Sequence, residues 1–402
     1  MATGKAVAVL CGDLNMLRCF AKTDIPTVLV SSDPKNVTFY SRHCRHKKVI
    51  ANPLSEPDKT ILDLVALGQQ CSEKPVLFYG DDTLLLLVSR NRKLLEKYYR
   101  FLLPDPDLVE ALVDKTRFAS LANRLGLPVP KTLLPQQVKT AEEIGQHLSL
   151  PCILKPDLRV GWFESETIRD EGRMPRKMLR ADTLIELTRL LKEMQLFTKN
   201  FVIQEYIAGG DDCIFSFHAY VNDHSEVLAY FVGRKIRTYP RDSGVSTYLE
   251  LVEEPEVVRL GLDILRKLNC VGVVKIDFKK NVNRDRFYLL EVNPRFNLWS
   301  YLGAVCGVNL PQVAYADLLG ETCKPQEGYQ TGVKWLSFGN DLRTFIREYR
   351  KNGDLSWGRW LLSYRGRKIY DVFSWDDPYP FVLCLLNYAK MLFRRLLSGA
   401  AK

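Results

Sequence analysis

A candidate β-hairpin at residues 271–295, VGVVKIDFKKNVNRDRFYLLEVNPR, sets the terms for the rest of the chain. Two runs rich in β-formers, Val271–Phe278 and Arg286–Val292, flank the turn-forming segment Asn281–Asp285, a pattern that signals a hairpin. Pairing the arms about residue 284 sets Asp277 opposite Glu291. Strand side chains alternate, so Asn293 joins Glu291 on that face if the strand runs so far. Two carboxylates and an amide oxygen then converge, and Arg295 follows two residues later. Hard oxygen donors of this kind suit Mg²⁺, which is commonly held by one or two carboxylates together with substrate phosphates. An exposed, solubilising hairpin face fits the same pairing. Geometry alone leaves both open.

The order Asp277, then Glu-Val-Asn-Pro-Arg at 291–295, resembles the metal-binding hairpin of ATP-grasp enzymes. In that family an acidic residue on one strand and Glu-x-Asn on the next bridge two Mg²⁺ ions to ATP phosphates. The resemblance implies Asp277, Glu291 and Asn293 as metal ligands, with ATP as the nucleotide and Mn²⁺ as an alternative ion.

A length of 402 residues allows two or three domains with sizeable cores. With 46% hydrophobic and 26% charged residues and no low-complexity tract, the composition is that of a soluble globular protein. The net charge of +10 is uneven: residues 326–402 hold 13 Lys/Arg against 7 Asp/Glu. A basic tail can meet an acidic substrate, nucleic acid or an anionic membrane, but a solvated basic face is the commoner cause. Ten scattered cysteines show no C-x-x-C and no zinc spacing, which fits a reducing cytosol and a cytoplasmic protein. The N-terminus runs straight into a strand with no signal-peptide core, and no run reaches bilayer-spanning length.

Ala6–Leu10, a helix from Leu14 to Lys22 and Thr27–Val30 read as a βαβ opening. The dinucleotide fingerprint is missing there, because Leu occupies positions 14 and 17. Further strands are expected at Val49–Ile50 and Pro75–Tyr79, with helices at Thr60–Gln69 and after Gly80. Asp81 and Asp82 at that helix start read as caps, with a substrate-cleft lining as the alternative. Pro104-Asp105-Pro106 marks a boundary.

Beyond it, Asp114-Lys115-Thr116-Arg117-Phe118 and the linker Gly-Leu-Pro-Val-Pro resemble the entry to an ATP-grasp domain, where this lysine contacts phosphate. Lys155 ends the apolar strand LPCILKP, where a cation is costly unless it meets an anion, and the matching family lysine binds phosphate. The loop 157–180 is glycine-poor and reads as a mobile lid with basic contacts of its own, Lys177 among the candidates. FVIQEYI at 201–207 resembles the interlobe hinge that binds adenine, which implies Gln204, the backbone of Ile207, and Glu205 between them. The acid after the glycines binds ribose in the family; Asp211 and Asp212 both qualify. In YFVGRKIRTYP the resemblance assigns Lys235 to the γ-phosphate, although a basic outer sheet face also explains Arg234, Lys235 and Arg237.

The expected fold is mixed α/β and α+β: a Rossmann-like domain over 1–105, a two-lobed ATP-grasp domain over 106–325 with its hinge near 204–212, and a basic Trp/Arg-rich extension over 326–402. The wording GDLNMLRCFAK, YSRH and GRKIR looks closest to the carboxylate–amine ligase branch, which includes enzymes similar to D-aspartate ligase. That resemblance implies a small carboxylate and an amine joined through an acyl phosphate, with Arg295 and Lys235 stabilising the reacting groups. A bicarbonate-using carboxylase and a regulatory nucleotide-binding protein are the other readings. No nucleic-acid motif supports the aromatic, basic tail. Helix 381–397 is expected to dock on the core, with a membrane surface as the alternative. A homodimer is expected by analogy with the superfamily.

Overall fold

In the computed structural model the described residues are 5–138, 140–156, 178–242, 244–323, 325–326 and 328–399. The chain divides into two compact units: Met1–Leu102 with Arg295–Tyr329 and Lys368–Lys402, and Leu103–Pro294 with Gln330–Arg367. The stretch 326–402, read from the sequence as one extension, is therefore shared between them. The physical reason lies in Lys334–Leu336, which pairs with the edge strand of the second unit's large sheet.

In the first unit, β1 (Ala8–Cys11), β2 (Thr27–Ser31), β3 (His46–Val49) and β4 (Val76–Tyr79) form a parallel sheet in the order β3-β2-β1-β4. The continuous apolar run of β1 is buried at every residue, as expected for a strand covered on both faces. The helix expected to reach Lys22 stops at Arg18, after which the chain makes turns. Asp81 caps the helix Asp82–Arg90 by accepting from the Leu84 amide at 2.9 Å.

The second unit holds two sheets. The smaller contains β5 (Thr132–Leu133), β6 (Cys152–Pro156), β7 (Leu179–Ala181) and β8 (Phe201–Glu205), in the order β5-β8-β6-β7. One face buries Cys152, Leu154, Phe201 and Ile203 with Ile144, Leu187, Leu190 and Met194 of two helices. Each such large apolar side chain contributes roughly 1.5–3 kcal/mol on burial. Alternation therefore turns Lys155 and Gln204 to the opposite face.

The larger sheet contains β9 (Ile214–Val221), β10 (Val227–Tyr239), β11 (Val245–Leu251), β12 (Gly272–Asn281), β13 (Arg286–Asn293) and β14 (Lys334–Leu336), running β13-β12-β9-β10-β11-β14. The helix Pro255–Leu268 covers one face of it. Proline starts this helix, Ile264, Leu265 and Leu268 lie on its buried side, and Asn269 ends it in the left-handed conformation (φ 47°). Gly261 is where the helix meets the sheet, because a Cβ there would sit 2.6 Å from the Phe217 ring. With Phe217 committed to the helix side, the alternate residues of β9, Ser216 and His218, lie on the other face.

Candidate functional site

The hairpin expected from the sequence is present as β12 and β13, and Asp277 is paired with Glu291. A bulge decides this. Near the turn the register is Asn281↔Arg286 to Phe278↔Leu289, whereas beyond it Asp277 pairs with Glu291, so Leu290 is the extra residue. Without it Asp277 would face Leu290, and Glu291 would point through the sheet to the helix side. Across the sheet, Asp277 is also opposite Ser216 on β9, and Lys275 is opposite both Asn293 and His218.

The carboxylate of Asp277 is buried; Ser216 Oγ donates to one of its oxygens and Lys275 Nζ to the other, the latter at 2.6 Å. Glu291 is exposed and accepts from the Asn293 side-chain amide at 3.0 Å. That bond uses the amide nitrogen of Asn293, so its amide oxygen is the atom that could meet a metal. Two carboxylates and one amide oxygen fit an ion such as Mg²⁺ that completes its shell with water and phosphate. Among the described residues no group of three His, Cys, Asp or Glu side chains forms a cage of its own.

The cations of the two sheets come together electrostatically. Lys155 is half-buried, and burial pushes its pKa down to about 8; Glu291 opposes that shift, while Lys115 and Lys279 reinforce it. Its ammonium donates to Gln204 Oε1 at 2.8 Å, and Gln204 Nε2 donates to Thr132 Oγ1 at 2.9 Å. Lys115, just inside the helix Lys115–Arg124 capped by Asp114, is half-buried too. Glu205 accepts from Arg284 at 2.8 Å, and Ile207 is buried.

Asp211 and Asp212 differ sharply. The Asp211 carboxylate is buried and accepts from the Thr238 amide (2.7 Å), Thr238 Oγ1 (2.9 Å), the Asp242 amide (2.9 Å) and Tyr349 OH (2.5 Å). Asp212 is exposed. Of the basic cluster on β10, Arg234 pairs with Glu250 at 2.6 Å, and Arg237 is locked in a two-pronged pair with Asp341 at 2.8 Å per contact. Lys235, half-buried, is two residues beyond Gly233, which pairs with Ser216, so it shares the Asp277 face. Arg295 belongs to the first unit and is paired there with Asp82. Loop 157–180, except for its last three residues, lies outside the described residues, and Lys177 with it.

A family model described as "ATP-grasp in the biosynthetic pathway with Ter operon" matches residues 223–337, which span β10 to β14 and so include the hairpin. The chain carries an ATP-grasp domain. It is 24% identical over 307 residues to the C-terminal section of the carbamoyl phosphate synthase large chain of Methanopyrus kandleri, covering 73% of this chain and 51% of that protein. It is 23% identical over 296 residues to the D-aspartate ligase of Enterococcus faecium, covering 70% of this chain and 68% of the ligase. The chain thus spans about half of the first relative and two thirds of the second. In fold it is similar to the biotin carboxylase domain of 2-oxoglutarate carboxylase from Hydrogenobacter thermophilus, solved as a dimer with MgADP, ADP and bicarbonate. That likeness has a TM-score of 0.61 at 18% identity over 82% of this chain and 73% of the other.

Sequence reasoning missed Ser216 and Lys275. Once Asp277 is a site residue, period-two alternation points to Lys275. Ser216 needs the pairing of β9 with β12, which has no local signal.

Proposed function

We propose that the ATP-grasp domain serves an ATP-dependent ligase that joins a carboxylate to an amine through an acyl phosphate and releases ADP and phosphate. The observation that carries this reading is the opposition of Asp277 and Glu291 on one face, with Lys155 close enough for Glu291 to act on its charge. A carboxylate resists attack by an amine because oxide is a poor leaving group, so it must be phosphorylated first.

In this reading Lys115 and Lys155 hold the phosphates as fixed positive charge, and the hinge at Gln204–Ile207 receives the base, with Glu205 braced by Arg284. Asp212 is the ribose contact, because the four donors to Asp211 make that residue an internal anchor. Asp277, Glu291 and Asn293 would hold Mg²⁺ or Mn²⁺, and such an ion supplies charge neutralisation on the transferred phosphoryl group. Lys235 then faces the acyl phosphate and the oxyanion formed on amine attack. Arg295 has the same role by resemblance; its guanidinium is paired with Asp82.

A second reading rests on the similarity to carbamoyl phosphate synthase: bicarbonate as the species that ATP phosphorylates. The cytoplasm, a homodimer and small-molecule substrates complete the proposal. Among the described residues no helix is long and apolar enough to cross a membrane.

The test is Mg²⁺-dependent phosphate release from ATP across amino acids and small carboxylates, with and without an amine. Release that needs both partners supports the ligase. Dependence on bicarbonate moves the reading to a carboxylase. Nucleotide binding that no acceptor pool turns into release sinks both and leaves a regulatory protein.

A further inference from the structure

The two opposed carboxylates of the hairpin are not equivalent. Asp277 is neutralised from inside the protein: Lys275 Nζ donates to its Oδ2 at 2.6 Å and Ser216 Oγ to its Oδ1, with the lysine and aspartate side chains only 12% and 4% exposed. Glu291 is exposed, and the bond it accepts from Asn293 brings no charge. Lys275 reaches Asp277 because the two lie two residues apart on one face of β12, flanked by Asn293 on β13 and His218 on β9.

A buried carboxylate is expensive without a cation, and removing one partner of such a pair leaves an uncompensated charge. A divalent ion approaches a carboxylate oxygen to about 2.0–2.1 Å when it is Mg²⁺. An ammonium already bound to that oxygen repels a second positive charge brought to it. Ion and lysine therefore compete for Oδ2.

We propose that Lys275 is a built-in counter-ion that holds the Asp277 carboxylate in the metal-free protein and yields it to the divalent ion, so that the lysine sets the ion concentration at which the site fills. This rests on the metal-site reading of the hairpin. The flexible four-carbon stem lets the ammonium leave without any backbone movement. Once released it remains on the same face, adding positive charge where the triphosphate would lie. Lys275 acts through Asp277 and is a positioning residue.

The experiment uses the full chain without nucleotide and Mn²⁺ as the probe, with binding read by electron paramagnetic resonance of the free ion. Lys275→Met removes the competitor and is expected to tighten Mn²⁺ binding by about 10-fold or more, given the cost of an unpaired buried carboxylate. Lys275→Arg, which grips a carboxylate with two hydrogen bonds, is expected to weaken binding relative to the natural protein. The Arg variant also serves alone if the Met variant does not fold. In chelator the thermal midpoint of Lys275→Met should fall, and saturating Mn²⁺ should restore it by linkage. A lowered midpoint with unchanged Mn²⁺ affinity in both variants means an ordinary structural ion pair and overturns the proposal. Asp277→Asn separates the two levels. If it binds Mn²⁺ as well as the natural protein does, the metal reading of the hairpin fails and the counter-ion goes with it. If it is silent while Lys275→Met and the natural protein bind alike, the counter-ion alone fails.

Discussion

Two charged clusters on the large sheet of the second unit contrast a set of charges closed within the fold with the set proposed to meet a ligand. Around Asp341, wholly buried, Arg237 donates twice, and Thr247, Trp360 and Tyr364 donate at 3.0, 3.0 and 2.5 Å. Arg237 also stacks over Tyr248 at 4.8 Å. Every oxygen and the guanidinium plane are engaged by groups from four separate stretches of chain. Around Glu291 the arrangement is different: an exposed carboxylate, a hydrogen bond from the Asn293 side-chain amide, and a lysine whose pKa burial has brought down to about 8. A cluster completed by the protein is rigid and internal. An exposed carboxylate such as Glu291 stays in reach of solvent, where the phosphate and its ion are proposed to bind.

Asp341→Ala breaks the comparison on the folding side. It strands Arg237, whose side chain is 4% exposed, and is expected to cost about 3–5 kcal/mol, read by urea denaturation; activity should fall only as the folded fraction falls. Glu291→Gln is its counterpart. It should reduce Mg²⁺-dependent phosphate release by about 10²–10³, the scale of losing one oriented electrostatic contact in a reacting site, with the denaturation midpoint unchanged. Equal losses of stability from both substitutions would erase the distinction between the clusters.

The pH dependence sharpens it. Lys155 is charged below a pKa of about 8 and neutral above it. The kcat/KM for ATP, which reports the free protein, should therefore be flat up to about pH 8 and decline above it, by about tenfold per pH unit if the charge is essential. Lys155→Arg, charged throughout, should remove that decline. The smallest effect is expected at the glycine turn. Asp212→Ala should raise the KM for ATP by about 5-fold, the scale of one lost hydrogen bond, without changing stability. Asp211→Ala should instead destabilise the fold, because its removal leaves the Thr238 and Asp242 amides and Tyr349 without their acceptor.

The opposition of Asp277 and Glu291 was legible because a hairpin is local. The arms, the turn and the acid–acid opposition all lie within 25 residues, and alternation does the rest. Even there the sequence concealed the Leu290 bulge, and the pairing about residue 284 holds at Asp277 only because of it. Lys155 drew notice because it ends an apolar strand, where a cation is costly without an anion, whereas Lys115 on a helix drew notice only through the family resemblance. The choice between Asp211 and Asp212 was not, because it depends on Thr238 and Tyr349, which are 27 and 138 residues away.

What the sequence by itself determined is the set of elements and the chemistry they carry: the alternating β/α opening, the hairpin, the Pro255–Leu268 helix and the acidic and basic side chains at their ends. Propensity, periodicity and turn chemistry act over a few residues and can be read there. The tertiary structure decided which charges are available. It gave Asp341 to Arg237, Asp211 to Thr238 and Tyr349, and Ser216 to Asp277, and it drew Lys334–Leu336 out of an unreadable tail to extend the sheet. These are pairings across tens to hundreds of residues. Their energy comes from hydrogen bonds and ion pairs completed on burial, and no local pattern records which partner a buried charge will find.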